Sequence, residues 1–149
     1  MSQLQDRVQE ELKQAMRAQE PVRRSALRML IAAFKNAEIE ARHPLTDEEA
    51  LAVVQKQAKQ RQESIAEFQK ANRQDLVAQE QAELEVLQVY LPEQASPDEI
   101  EAAARKIIAE TGATTARDIG KVMPVLVKQF AGRADGRAIN EVVRSLLGA

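Results

Sequence analysis

The sequence predicts an all-α fold, with an N-terminal antiparallel helical domain over residues 1–94 and a small three- to four-helix tail domain over residues 95–149. Three observations predict it. Apolar residues return at helical spacing along most of the chain, and a hydroxyl or carboxylate residue repeatedly stands just ahead of such a stretch. Only five Gly and five Pro occur in 149 residues, too few for turn-rich sheet architecture. With three Phe, one Tyr and no Trp, the core has to be built from Leu, Ile, Val, Ala and Met.

The first helix opens at Ser2, whose hydroxyl caps free amides while Gln5 returns a bond, and it carries the apolar stripe Leu4, Val8, Leu12, Ala15 and Met16 to about Ala18. Pro21 starts the second, because proline is preset for a first helical turn. Leu27, Leu30, Ile31 and Phe34 form its inner face, and Arg23, Arg24 and Arg28 crowd its opening turns. Leu45-Thr46-Asp47-Glu48-Glu49 begins a third helix, with Thr46 as cap, Glu49 as reciprocal partner and Leu45 as hydrophobic staple. It runs to about Gln69 and breaks at Ala71-Asn72. A fourth helix, from Arg73-Gln74-Asp75-Leu76 to about Val89, turns Leu76, Val77, Leu84 and Leu87 inward and stops before Pro92.

Tyr90 to Ala95 reads as the hinge. Ser96-Pro97-Asp98-Glu99 repeats the start pattern for a fifth helix through Ile100, Ala104, Ile107 and Ile108, which Gly112 closes. A turn around Thr115 to Gly120, a helix from near Lys121 to Phe130, and a last helix from about Gly136 to Leu147 complete the tail.

Composition excludes several classes of chemistry. No Cys and a single His, His43 in the connection before Pro44, leave no thiolate nucleophile, no Ser-His-Asp constellation and no zinc site. Glu80, Glu83 and Glu85 lack the Glu-x-x-His pairs of a carboxylate metal bundle, and are expected on solvated faces. No cofactor is expected. Tyr90 is expected to pack with Leu91 against the helices. No apolar run approaches the roughly 20 residues that span a bilayer, and the N-terminus lacks the basic-then-apolar order of a signal peptide, so a cytoplasmic monomer without membrane contact is expected.

The net charge of −2 hides an asymmetry. Residues 1–95 carry 13 basic and 16 acidic side chains, whereas residues 103–149 carry eight and four. A polyanion contact should therefore favour the tail. There, Gly120-Lys121-Val122-Met123 and Gly132-Arg133-Ala134-Asp135-Gly136 are the most informative stretches. Gly120 is expected to take an unusual backbone angle or allow a close approach, Pro124 to lie in a first helical turn, Gly132 to end that helix, and Asp135 with Gly136 to open the last one. Lys121 and an exposed Arg133 are then candidates for one anionic face, against ordinary solvated charge. Arg23, Arg24 and Arg28, placed where the helix macrodipole disfavours cations, are either neutral surface or a second contact. Lys59, with Lys56 and Arg61, is a further candidate surface.

In order along the chain, Leu27-Arg28-Met29-Leu30, Leu45-Thr46-Asp47-Glu48-Glu49, Lys59-Gln60-Arg61, Arg73-Gln74-Asp75-Leu76, Tyr90-Leu91-Pro92 and the two glycine-containing tail stretches resemble the YqeY family. The C-terminal part of that family is similar to the tail domain of the GatB subunit of glutamine-dependent aminoacyl-tRNA amidotransferase. The resemblance implies an all-helical N-terminal domain followed by a tail of the kind that helps GatB hold tRNA. It also implies a noncatalytic tRNA- or RNA-associated module, with a protein-interaction adaptor as the alternative. The carbon–nitrogen ligase activity with glutamine as amido-N-donor attached to the family finds no nucleophile or Gly-rich phosphate loop in these residues.

Overall fold

A computed structural model describes residues 1–148 and shows an all-α chain, with no strand among the described residues. It divides into two compact units, Met1–Leu91 and Pro92–Ala149.

The first unit contains α1 (Gln3–Arg17), α2 (Pro21–Ala41), α3 (Asp47–Lys70) and α4 (Gln74–Gln88). Short connections join helices that pack on one another, which makes sequential neighbours antiparallel. Each reversal uses a non-glycine residue in the left-handed region: Gln19 (φ 54°), Arg42 (φ 62°) and Asn72 (φ 55°). The capping box at Ser2 and Gln5 forms as expected, and the Thr46 hydroxyl accepts from the amide of Glu49. The core joins Val8 and Ala15 of α1, Leu27, Leu30 and Phe34 of α2, Leu45, Ala50 and Val54 at the start of α3, and Leu87 and Tyr90 at the end of α4. Met16, expected in the α1 stripe, is instead exposed, at the edge of that stripe in the last turn.

The second unit contains α5 (Pro97–Thr111), a 3-10 turn (Ala116–Asp118), α6 (Ile119–Gln129) and α7 (Gly136–Leu146). Ser96 caps α5 with Pro97 in its first turn, Gly112 (φ 70°) ends it, and the Asp135 carboxylate caps α7. Ile100, Ala104, Ile107, Val122, Leu126, Phe130, Ile139, Val143 and Leu147 interlock as the core. Among the described residues this core is wholly apolar, whereas Ser2, Gln5 and Glu83 are buried in the first unit. No helix among the described residues is long and apolar enough to cross a membrane.

Candidate functional site

The tail stretch around Lys121 is built differently from its sequence expectation. Helix α6 begins at Ile119, so Pro124 is its sixth residue rather than part of its first turn. Proline has no N–H, and the helical bond to the carbonyl of Gly120 cannot form. Gly120 itself has no positive φ, and nothing lies within 4 Å of the place a Cβ would occupy. Its expected backbone or close-approach role is thus corrected, because it sits on the solvent side of an ordinary first turn. The Asp118 carboxylate accepts from the amides of Thr114 and Thr115 at 2.9 and 3.2 Å. Those two bonds, with the nearby Lys121 ammonium, hold its carboxyl below the usual range. Lys121 Nζ stands 3.4 Å from Asp118 Oδ1 on a side chain that is 65% exposed.

Arg133 is not the exposed donor fork expected of it. Gly132 takes a φ of 77° after α6 and turns the chain so that Arg133 points back at the segment entering α5. Its Nε donates to the Glu93 carbonyl at 2.9 Å, and its Nη2 meets the Glu99 carboxylate at 2.8 Å. Its guanidinium also lies 5.9 Å from the Phe130 ring centroid. The backbone completes the strap: Ala95 N–H donates to the Arg133 carbonyl at 2.9 Å, and the Gln94 side-chain amide donates to the carbonyls of Gly132 and Pro92. Asp135 Oδ1 accepts from the Ala138 amide at 2.7 Å, and Gly136 is the first residue of α7. Lys121 and Arg133 therefore answer to different carboxylates, and no bond brings them together.

The first unit also sorts its cations. Arg23 is drawn into the fold, 3.7 Å from Glu11 and 3.3 Å from Glu20. Glu11 in addition accepts a short hydrogen bond from the Tyr90 hydroxyl and one from Arg7 Nε at 3.0 Å, with the Arg7 guanidinium 4.9 Å from the Tyr90 ring centroid. Burial pulls the Glu11 carboxyl upward, but these hydrogen bonds and the two arginine charges outweigh it and hold the group below its usual range. The Tyr90 phenol is pushed well above its usual range, by burial first and then by the Glu11 carboxylate it faces. Tyr90 is thus packed, as expected, and also latched.

The acidic side of α4 departs furthest from expectation. Glu85 is exposed, but Glu83 and Glu80 turn inward toward Arg61 of α3, with Arg61 Nε 3.2 Å from Glu83 and 3.6 Å from Glu80. The three side chains are only 12% (Arg61), 9% (Glu83) and 18% (Glu80) exposed. Arg61 Nη2 reaches the sulfur of Met29 on α2 at 3.4 Å. Sequence reasoning placed these glutamates in water because the i, i+3 spacing on α4 shows a stripe but not what faces it. Their partner lies 19 and 22 positions upstream. Arg61 is accordingly lost to the basic surface proposed around Lys59, which remains exposed on α3 beside Lys56.

Arg24, Arg28 and Lys35 on α2 and Lys128 on α6 are exposed, and no carboxylate among the described residues lies within ion-pair distance of them, as is also true of Arg17, Arg42, Lys56, Lys106, Arg117 and Arg144. Lys35 and Lys128 were not among the contact candidates read from sequence, although the absence of any Asp or Glu in α6 and between residues 21 and 37 was a usable signal. Among the described residues no group of three His, Cys, Asp or Glu side chains converges as metal ligands would.

Comparison with known proteins adds the lineage. A Pyrenophora tritici-repentis protein described as "Altered inheritance of mitochondria protein 41, mitochondrial" is 34% identical over 149 residues, covering 96% of this chain and 80% of that protein. Proteins of the same description from Vanderwaltozyma polyspora and Lachancea thermotolerans are 36% and 39% identical over 68% and 69% of this chain. The match spans little more than half the length of those two yeast relatives, 56% and 57%. These relatives overturn the expected cytoplasmic location, since every one is mitochondrial by description. The expectation rested on the lack of a spanning apolar run and of a secretory signal pattern, and neither distinguishes the cytoplasm from the mitochondrion. The Yqey-like protein family matches residues 5–147, and the chain belongs to that YqeY family.

Proposed function

We propose that this chain is a noncatalytic RNA-associated module, with tRNA as the RNA class suggested by the GatB-like tail. The observation that carries the reading is the outer face of α6. Lys121 and Lys128 lie seven residues apart on one side of a helix without a single carboxylate, about 10 Å apart along its axis. At that separation the two ammonium groups are screened from each other at physiological salt, and one phosphate chain can reach both, at Lys121 in exchange for the exposed contact with Asp118. Arg133 fixes the entry to α5 and is a positioning residue, not an RNA contact, in this reading.

The clustered ionisable side chains give no support to ligase chemistry. Glu11 and Tyr90 satisfy each other and two arginines, and Glu80 with Glu83 surrounds Arg61. A carbon–nitrogen ligase needs a free nucleophile or an ammonia-holding site aimed into a cleft.

Fluorescence anisotropy with labelled bulk tRNA, at low and physiological salt, tests the proposal. Saturable binding that survives physiological salt and weakens in a folded Lys121→Ala/Lys128→Ala variant supports it. Absence of binding at both salts sinks it. A second reading, a protein-interaction adaptor, has one observation in its favour: a groove of about 380 Å³ between α5 and α7, lined by Pro97, Ile100, Ala138, Val142 and Leu146 with Glu101 and Glu141 at its edges. An apolar groove of this kind suits an aliphatic anchor from another protein.

A further inference from the structure

The outer face of α2 carries a second feature that the fold does not consume. Between residues 21 and 37 the helix has four cations and no Asp or Glu. One of the four, Arg23, is turned inward to Glu11 and Glu20. The other three, Arg24, Arg28 and Lys35, are spaced four and seven residues apart, which puts them in a single row along one side of the helix. The row is about 16 Å long, from a rise of 1.5 Å per residue.

All three are exposed and without an ion-pair partner among the described residues. That sets them apart from Arg7, Arg61, Arg73, Arg105 and Arg137, each of which stands within ion-pair distance of a carboxylate. Neighbouring acids are already engaged: Glu20 with Arg23, and Glu38 with the side-chain amide of Gln5. Arg24 lies in the first turn of α2, where the helix macrodipole opposes positive charge. A row without carboxylate partners contributes no ion pair to the fold and matches a linear anion.

We propose that Arg24, Arg28 and Lys35 form a phosphate track on α2 that holds an RNA backbone without reading its sequence. The inference rests on the RNA reading above and extends it to the first unit. A backbone contact is favoured over base recognition because the only aromatic residue of α2, Phe34, is buried, leaving no ring on which a base could stack. It is favoured over an acidic protein surface because the three cations lie in one line along the helix, as successive phosphates lie along a backbone.

The test is the salt dependence of tRNA binding, as log affinity against log salt, for the full chain, for Arg24→Ala/Arg28→Ala/Lys35→Ala, and for the charge-keeping Arg24→Lys/Arg28→Lys/Lys35→Arg. Each phosphate contact contributes about 0.7–0.9 to the slope, so loss of three flattens it by about 2 to 2.7. The charge-keeping variant should retain the wild-type slope. An unchanged slope in the alanine variant, while Lys121→Ala/Lys128→Ala still weakens binding, overturns the track and leaves the RNA reading standing. No binding by the wild-type chain at any salt overturns both. Competition by polyglutamate at the same charge concentration as RNA also overturns it, in favour of an acidic protein partner.

Discussion

Arginine has opposite settings on two faces of the first unit. Along the seam of α3 and α4, Arg61 is buried between Glu83 and Glu80 and touches Met29. On the outer face of α2, Arg24 and Arg28 stand in solvent beside Lys35 with no acid to meet. The first arrangement belongs to folding: its charges lost their water and depend on each other. The second meets no carboxylate among the described residues. The comparison teaches that the count of basic residues says little about a binding surface until the internally engaged ones are removed. In this chain the subtraction takes away Arg23, Arg61 and Arg133, three residues that the sequence pattern alone treats as equals of Arg24 and Arg28, while Lys121 stays exposed but beside Asp118.

The largest effect that separates the two settings is expected at the seam. Arg61→Ala leaves two carboxylates facing each other in a poorly hydrated space, and the predicted loss is about 3–5 kcal/mol in urea denaturation. Arg61→Met, of similar length, should lose less only if combined with Glu83→Gln or Glu80→Gln. If Arg61→Ala unfolds at the wild-type midpoint, the seam is not held by this network.

Next in size is the Tyr90 latch. Tyr90→Phe removes a hydrogen bond to a charged acceptor, a loss of about 1.5–3 kcal/mol that the partial exposure of Glu11 places toward the lower end. The pH dependence has two signs. The Glu11 carboxyl is depressed in the folded chain, so its stabilisation is fully present above 4.5 and is lost as pH falls through the lower folded value. The Tyr90 phenol is raised, so its stabilisation is fully present below 10.0 and is lost as pH climbs through the higher folded value. Because the chain has one Tyr and no Trp, phenolate absorbance reads this group directly. The phenolate should appear only well above pH 10, and at its ordinary pH in urea. Ordinary titration in the folded chain would remove the latch from the account.

A smaller effect is expected in the second unit, where caps rather than buried ions fix the helix ends. Asp135→Ala deprives the Ala138 amide of its acceptor and should cost about 1 kcal/mol, read as a lower thermal midpoint for that unit. An equal shift in both units would contradict the local role given to Asp135.

How much of this was legible follows from the range of the interactions. Ser2 with Gln5, Ser96 with Glu99 and Asp135 with Ala138 are three-residue events, and the sequence displays both partners. The apolar stripe of α2 likewise marked Leu27, Leu30 and Phe34 as buried. Pro124 misled because α6 begins at Ile119, directly after the 3-10 turn and five residues before the proline. Glu83 and Arg133 were read as surface for a different reason. Their partners, Arg61, Glu93 and Glu99, lie tens of residues away, and periodicity on one helix carries no information about what a second helix brings opposite. The candidate RNA contacts were thus visible as residues but not as a set, since membership depends on which cations the fold draws inward and which it leaves exposed.

The smallest predicted effect is the most decisive. Urea denaturation of Arg24→Ala/Arg28→Ala/Lys35→Ala should give a midpoint equal to wild type or slightly higher, because the three side chains meet no carboxylate and removing Arg24 from the first turn relieves about 0.3–1 kcal/mol of unfavourable dipole interaction at most. That result, beside the large loss in Arg61→Ala, would place the α2 row outside the folding interactions and leave it to a partner. A midpoint falling as far as that of Arg61→Ala would show the row to be part of the fold and contradict the division of cations on which the functional reading stands.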